Sequence, residues 1–261
     1  MRLSSPNMNV MVKACRKAGK VLIRDFGEIE KLQVSVKGPG DFVTTSDKKV
    51  EKILIEELIK ARPNYSVLSE ESGELKNEEE FKWIIDPIDG TSNFLHGIPH
   101  FAISLGLEHN KEIICGIVFD PIKDEMFFSE KGNGSYLNNQ RMRVSARSKL
   151  ENCIIFTGGP KITAKNRDKS IEEYKKFSSK VLIPIRKMGS AALDMAYVAA
   201  GRCDGFWQRN LNYWDIAAGI ILVKEAGGFV TDFKGNDGYV ENKTMLATNS
   251  KINMEMIEVL K

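Results

Sequence analysis

Two aspartates three residues apart, Asp86 and Asp89, close an apolar run in the stretch WIIDPIDGTSNF, residues 83–94. Glu70 closes another apolar run, and Asp215 follows Tyr213-Trp214 at the start of a helical pattern. Strand ends and helix starts are where ligand sites are built in α/β proteins, so these four acids are read as converging. Two like unit charges about 4 Å apart repel by roughly 4 kcal/mol at an effective dielectric near 20. Four together would exceed a fold's margin of about 5–15 kcal/mol. Such a cluster must be protonated or hold cations. Ligation by oxygen alone favours magnesium, manganese or calcium over zinc. The plain alternative is that each acid is a separate cap or turn residue.

Gly90-Thr91-Ser92-Asn93-Phe94 follows directly. Glycine lets the backbone approach a ligand closely, and a helix or turn starting here would aim its free N–H groups at a phosphate. A cation cluster beside an anion cradle suits metal-assisted phosphoryl transfer to water. The attacking water must lose a proton, and Thr91, hydrogen-bonded to an outside acid such as Asp47, could orient and activate it.

Elements must then position these groups. Met11, Ala14, Cys15, Ala18, Val21, Leu22 and Phe26 recur at helical spacing, and Gly27 stops the helix. SVKGPGDFVTTSD, residues 35–47, is expected as a polar loop. Val50, Ile53, Leu54 and Leu58 predict a second helix, opened by a Thr44/Asp47 capping box and ended before Pro63. Residues 65–71 and 81–86 are predicted strands ending in acid. Residues 101–140 read as an antiparallel meander, with turns at His109-Asn110, Pro121 to Asp124, Gly132 to Gly134 and Asn138-Asn139. The basic stretch Arg141 to Lys149 marks a boundary between expected subdomains 1–145 and 146–261. Beyond it, strands are expected at 153–159, 181–187, 203–208, 227–232 and 244–249, with helices at 166–179, 190–201 and 215–227. A closing helix, 250–260, is expected to be capped by Ser250. The alternation suggests an α/β or α+β layered sandwich.

Composition narrows the class. The chain has 261 residues, 42% apolar and 28% charged, enough for one large domain or two intimate subdomains. A formal charge of +3 is too small to argue for nucleic acid. No apolar run approaches the ~20 residues that span a membrane, and the N-terminus lacks a signal-peptide pattern. Cys15, Cys115, Cys153 and Cys203 are widely spaced and read as free thiols in a reducing cytoplasm.

Taken together, Asp41 to Asp47 (D-x-V-T-x-x-D), Glu70 to Ser72, Trp83 to Phe94, Gly189 to Ala192 and Trp214 to Gly228 resemble the inositol monophosphatase family, in family order over nearly the whole chain. The resemblance implies an α+β fold, an α-β-α-β-α layered sandwich, commonly as a homodimer. It implies a lithium-sensitive phosphate monoester hydrolase using two or three Mg²⁺ ions. The implied metal ligands are Glu70, Asp86, the Ile88 carbonyl, Asp89 and Asp215. Thr91, Asp47 and Glu70 form the implied catalytic set. Gly90 and Thr91 amides, with Asp89, would hold the phosphate; Gly189, Ser190 and Ala191 match a substrate-facing turn, and Lys37 lies in a loop near the third metal.

One position departs from the inositol-specific pattern: a glutamate that binds substrate hydroxyls is Gln208 here, beside Arg209. Arg209 would add a positive field if turned toward the site. TGGPKITAKN, residues 157–166, does not align on the expected substrate serine. Substrates other than inositol phosphate therefore stay open: NADP, 3′-phosphoadenosine phosphate, fructose bisphosphate or another sugar or polyol phosphate. So does a scaffold with an added RNA- or transcription-related partner, which the charge does not support. Asp86 as a covalent nucleophile is disfavoured, because that chemistry wants D-x-D-x-T. His96 and His100 flank Gly97 and Pro99 and are read as structural; Gly132-x-Gly134 is read as a hairpin, FDPIKDE as a turn, and Phe206-Trp207 as strand core or dimer interface.

Overall fold

Residues 5–28, 34–38, 41–77, 80–158 and 164–261 are described by a computed structural model. Helix α1 (Pro6–Phe26) starts five residues ahead of its first expected apolar position, because Pro6 suits the first turn and Ser5 Oγ accepts from Met8 N at 3.2 Å. Met8, Met11, Cys15, Ala18 and Leu22 form its buried stripe. Helix α2 (Thr45–Ala61) opens on the expected capping box. Thr44 N donates to Asp47 Oδ2 at 2.7 Å, and Asp47 N donates to Thr44 Oγ1 at 3.3 Å.

Residues 34–44 depart from the expected loop: β1 (Val34–Gly38) and β2 (Asp41–Thr44) pair as an antiparallel hairpin. The Gly-Pro-Gly in this stretch reads locally as loop, which hides the pairing of the segments on either side of it. The main sheet comprises β3 (Ser66–Ser69), β4 (Gly73–Leu75), β5 (Phe81–Asp89), β6 (Ala102–His109), β7 (Glu112–Asp120), β8 (Glu125–Glu130), β9 (Gly134–Leu137) and β10 (Gln140–Met142), in the order β10-β9-β8-β7-β6-β5-β3-β4. Only β3 and β5 run parallel within it. Helix α3 (Thr91–Leu95) follows β5. The second sheet holds β11 (Ile155–Thr157), β12 (Gly205–Arg209), β13 (Phe229–Thr231) and β14 (Thr244–Thr248), in the order β11-β12-β14-β13. Helices α4 (Ala164–Ser178), α5 (Ala191–Ala199), α6 (Tyr213–Glu225) and α7 (Asn253–Leu260) complete the chain.

Five layers stack as an α-β-α-β-α sandwich, and the three largest hydrophobic clusters among the described residues hold them together. The first packs α1 and α2 on the main sheet through Leu22, Leu54, Trp83, Ile85 and Phe119. The second packs α5 and α6 between the sheets through Val118, Leu193, Ile216, Phe206 and Ala247. The third packs α4 and α7 on the far face of the small sheet through Phe177, Met256, Trp207 and Leu246. Period-two alternation assigns the faces: on β12, Phe206 enters one core and Trp207 the next. Those two aromatics are therefore strand core.

Two further expectations fail locally. Residues 181–187 form no strand; a single parallel bridge joins Arg186 to Phe156. Pro184 has no N–H for a ladder, and Leu182 is exposed. Ser250 does not cap α7: Asn249 Oδ1 accepts from Lys251 N at 2.8 Å and Ile252 N at 3.2 Å, and α7 begins only at Asn253. Among the described residues no helix is long and apolar enough to cross a membrane, and all four cysteines are free and buried.

Candidate active site

β5 carries both aspartates of the D-P-I-D stretch, and its register explains how. Asp86 pairs with Ser104 and Asp89 with Ala102, so three steps along β5 match two along β6. The extra residue is a bulge, at the only place a proline fits in an interior strand. In a regular strand, residues three apart point to opposite faces. The bulge cancels that alternation, and Asp86 and Asp89 line one cavity of about 250 Å³.

Neighbouring elements supply the rest of that wall. β3 is parallel to β5, with Ser69 opposite Ile85, so Glu70 leaves its strand end beside Asp86. Glu70 N donates to Ile85 O at 3.2 Å. Asp215 sits in the first turn of α6, where Asn212 N donates to its Oδ2 at 2.7 Å. Ser104 Oγ donates to Trp214 O at 3.1 Å, fastening the start of α6 to the β6 residue opposite Asp86.

Gly90 caps α3 at φ +99, and a Cβ there would meet His100 O at 3.1 Å and Gly189 O at 3.3 Å. Gly189 has φ +91, against Asn93. Asn93 Nδ2 lies 2.8 Å from both His100 O and Met188 O, stitching the two glycine turns together. The starts of α3 and α5 thus meet at the cavity. Thr91 Oγ1 lies 2.9 Å from Ile88 O and 3.2 Å from Asp47 Oδ1. Asp89 Oδ2 accepts from Ser190 Oγ and, at 2.7 Å, from Ala192 N. The Ser190 side chain is buried and engaged with Asp89 at the cavity wall.

Of the residues singled out in the sequence, Glu70, Asp86, Ile88, Asp89, Gly90, Thr91, Gly189, Ser190, Ala191, Gln208 and Asp215 all line this cavity. Asp47 stands behind it, buried. The side chain of Lys37, on β1, lies outside the described residues, as do residues 159–163 of the segment that did not align. Gln208 packs so closely against Gly158 that a Cβ there would sit 1.8 Å from its Oε1. Arg209 also lines this cavity, but its guanidinium is paired: its Nε donates to buried Glu173 Oε1 at 2.6 Å, and it lies 4.6 Å from the Phe233 ring centroid. His96 ends α3, and His100 is buried with its ring edge-on to Tyr197.

Electrostatics follow the geometry. Burial, then the charges of Glu70, Asp89, Asp215 and Asp47, pushes the Asp86 carboxyl well above the usual range. Burial raises Asp89 to about 6 against the opposing hydrogen bonds from Ser190 and Ala192, with Glu70 adding to the rise. Burial also raises Asp47, opposed by its bonds to Thr44. Among the described residues no three acids, histidines or cysteines are gathered closely enough to hold one ion; the carboxylates share a cavity and not a point. The donor set is hard oxygen throughout, with no histidine or cysteine among the cavity-lining residues. Mutual repulsion gives those carboxylates a reason to take divalent cations. The donor chemistry of the lining residues suits such ions.

Four participants were not singled out from the sequence: Glu51, Asn93, Glu173 and Asp194. Asp194 on α5 also lines the cavity, with burial and the charge of Asp89 raising its carboxyl well above the usual range. Glu51 had one legible signal: it lies four residues beyond Asp47 on α2, on the same helical face.

The description "Inositol monophosphatase family" belongs to the family model that matches residues 4–260. An inositol-1-monophosphatase from Rhizobium meliloti (strain 1021) is 50% identical over 254 residues, covering 97% of this chain and 95% of that protein. A Nus factor SuhB from Xylella fastidiosa (strain Temecula1) is 40% identical over 237 residues, covering 90% and 85%. The crystal structure of extragenic suppressor protein suhB from Bartonella henselae superposes with a TM-score of 0.95 at 49% identity, covering 98% of this chain and 99% of that one.

Proposed function

The chain belongs to the inositol monophosphatase family and is a phosphoric monoester hydrolase, and on that footing we propose that it cleaves inositol monophosphate to inositol and phosphate in the cavity bounded by Glu70, Asp86, Asp89 and Asp215. The observation that carries the site is the β5 bulge, which turns Asp86 and Asp89 to one wall. Metal dependence is the family's; the ions are proposed to be Mg²⁺, two or three of them, inhibited by lithium. Glu70, Asp86, Asp89, Asp215 and the Ile88 carbonyl would hold them. When bound, such ions neutralise phosphate charge and make a water more acidic.

The chain's own groups do the rest. The first amides of α3, at Gly90 and Thr91, have no acceptor within the helix and suit a phosphate oxygen. Thr91 orients the attacking water and passes its proton toward Asp47. Glu70, at the β3 end, completes the catalytic set. Gly189, Ala191 and Gln208 form the wall against the leaving alcohol. We place residues 1–145 and 146–261 as the two subdomains, with Asp215 the second one's contribution. We further propose a cytoplasmic homodimer; four unpaired, buried thiols suit a reducing compartment.

The test is phosphate release from inositol 1-phosphate after exhaustive chelation, then after Mg²⁺ is restored, with and without lithium. Turnover that survives chelation rejects the reading. A panel of glycerol 2-phosphate, fructose bisphosphate, 3′-phosphoadenosine phosphate and NADP ranks the alternative substrates. The Xylella relative is named a Nus factor; for this chain the cavity favours the phosphatase.

A further inference from the structure

Helix α2 presents two buried carboxylates one turn apart, Asp47 and Glu51. Asp47 reaches Thr91 on one side of the cavity. Glu51 reaches the other side: its Oε2 accepts from Ser69 Oγ and, at 2.9 Å, from Glu71 N, and its Oε1 accepts from Ser72 Oγ. Those three donors flank Glu70 on both sides in sequence. We propose that Glu51 is a positioning residue: it holds the 69–72 turn against α2 and thereby aims the Glu70 carboxylate into the cavity.

The chemistry favours a carboxylate over any other side chain there. Two hydroxyls and a main-chain N–H converge on one buried group, and an ionised carboxylate is the side chain that only accepts, with about four lone-pair sites. Glutamine keeps part of the set, because its amide nitrogen can only donate, toward Ser72. Methionine fills similar volume and keeps none of it. Helix α2 then sets the separation between the Thr91 and Glu70 walls, since Asp47 and Glu51 are fixed to one rigid rod.

This rests on Glu70 being a metal ligand, and the experiment separates the two claims. Mn²⁺ alone is titrated by electron paramagnetic resonance into the wild type and into Glu51→Met, Glu51→Gln, Ser72→Ala and Glu70→Gln. Outer-shell partners of metal ligands typically contribute 10- to 100-fold in affinity. Glu51→Met is expected to weaken Mn²⁺ binding by roughly that factor, Glu51→Gln and Ser72→Ala by less, while KM for substrate at saturating metal stays near wild type. Should Glu51→Met fail to fold, Ser72→Ala, at an exposed residue, reports on the same contact. Normal Mn²⁺ affinity in the folded Glu51 and Ser72 variants, with weakened affinity in Glu70→Gln, overturns the positioning role alone. Unchanged affinity in Glu70→Gln overturns the metal reading and this inference with it.

Discussion

Asp47 divides its two oxygens between two tasks: Oδ2 accepts from Thr44 N at 2.7 Å and Thr44 Oγ1 at 2.6 Å, and Oδ1 stands 3.2 Å from Thr91 Oγ1. One carboxylate thus caps α2 and faces the cavity residue 44 positions away. A helix cap is a rigid mount, so the geometry at Thr91 inherits the precision of the helix start.

Thr91→Ala is expected to lower kcat by about 10²–10⁴-fold, the usual contribution of positioned proton transfer, with the melting temperature little changed. Thr91→Ser should keep most activity. Asp47→Asn retains an oxygen that can cap Thr44 but turns an amide toward Thr91, so it should fold and match the loss. The double variant should be no worse than either single one, because the pair acts as a unit. Multiplicative losses in steady-state kinetics would separate the two residues.

The pH dependence of stability has a definite sign. Asp47, Asp86 and Asp89 are raised in the folded chain, Asp89 to about 6. Stability from keeping them protonated is complete below the ordinary value of 3.8 and is lost as pH rises through the folded values. His100, lowered to about 4 mainly by burial, gives the opposite slope up to its ordinary 6.5. The slopes separate in the window above His100's ordinary 6.5, where that residue is neutral in both states and only carboxyls held well above their ordinary value still titrate. Metal-free protein should melt progressively lower across that window, and Mg²⁺ should restore the loss. Asp86→Asn should flatten the metal-free slope and lower kcat by orders of magnitude. Calorimetric melts in chelator that rise over this window would contradict the sign.

Gly90→Ala should destabilise the protein by about 1–3 kcal/mol, the cost of a non-glycine residue in a sparsely populated region, because φ is +99 and backbone oxygens crowd the new methyl. Gly132→Ala, also at positive φ but with nothing within 4 Å of the added Cβ, isolates the conformational part. Urea unfolding midpoints that fall equally for both would remove the crowding contribution.

Gln208 lines the cavity with a neutral amide, at the position where the family resemblance leads to the expectation of a glutamate. Charge-assisted hydrogen bonds are about twice as strong as neutral ones, and one is worth roughly 1.5–3 kcal/mol. Gln208→Glu should raise kcat/KM for inositol phosphate relative to glycerol 2-phosphate by about 10- to 100-fold. Arg209 lines the same cavity, with its guanidinium already paired with Glu173. An unchanged ratio between the two esters would dismiss Gln208 as a selectivity residue.

Much of the fold was legible because local physics dictated it. The Thr44/Asp47 box, the heptad-like stripes of α1 and α2, and the turn residues of the β6–β10 meander act within a few residues of themselves. Errors arose where a distant partner decided. Residues 34–38 pair with 41–44 although the sequence there reads as loop, and residues 181–187, apolar enough for a strand, meet β11 at one bridge only.

For the candidate site, the residue types settled the chemistry early: hard oxygens in excess, followed by a glycine-threonine turn, call for cations and phosphate in any arrangement that brings them together. The arrangement itself belongs to the tertiary structure. Only pairing with β6 creates the bulge that puts Asp86 and Asp89 on one wall. Only the packing of α4 pairs Arg209 with Glu173, and only the seat of α2 against the 69–72 turn gives Glu51 its three donors. A side chain's type is encoded at its own position, whereas its direction is set by register and burial, which depend on residues from 13 (Asp89 to Ala102) to 103 (Asp89 to Ala192) positions away.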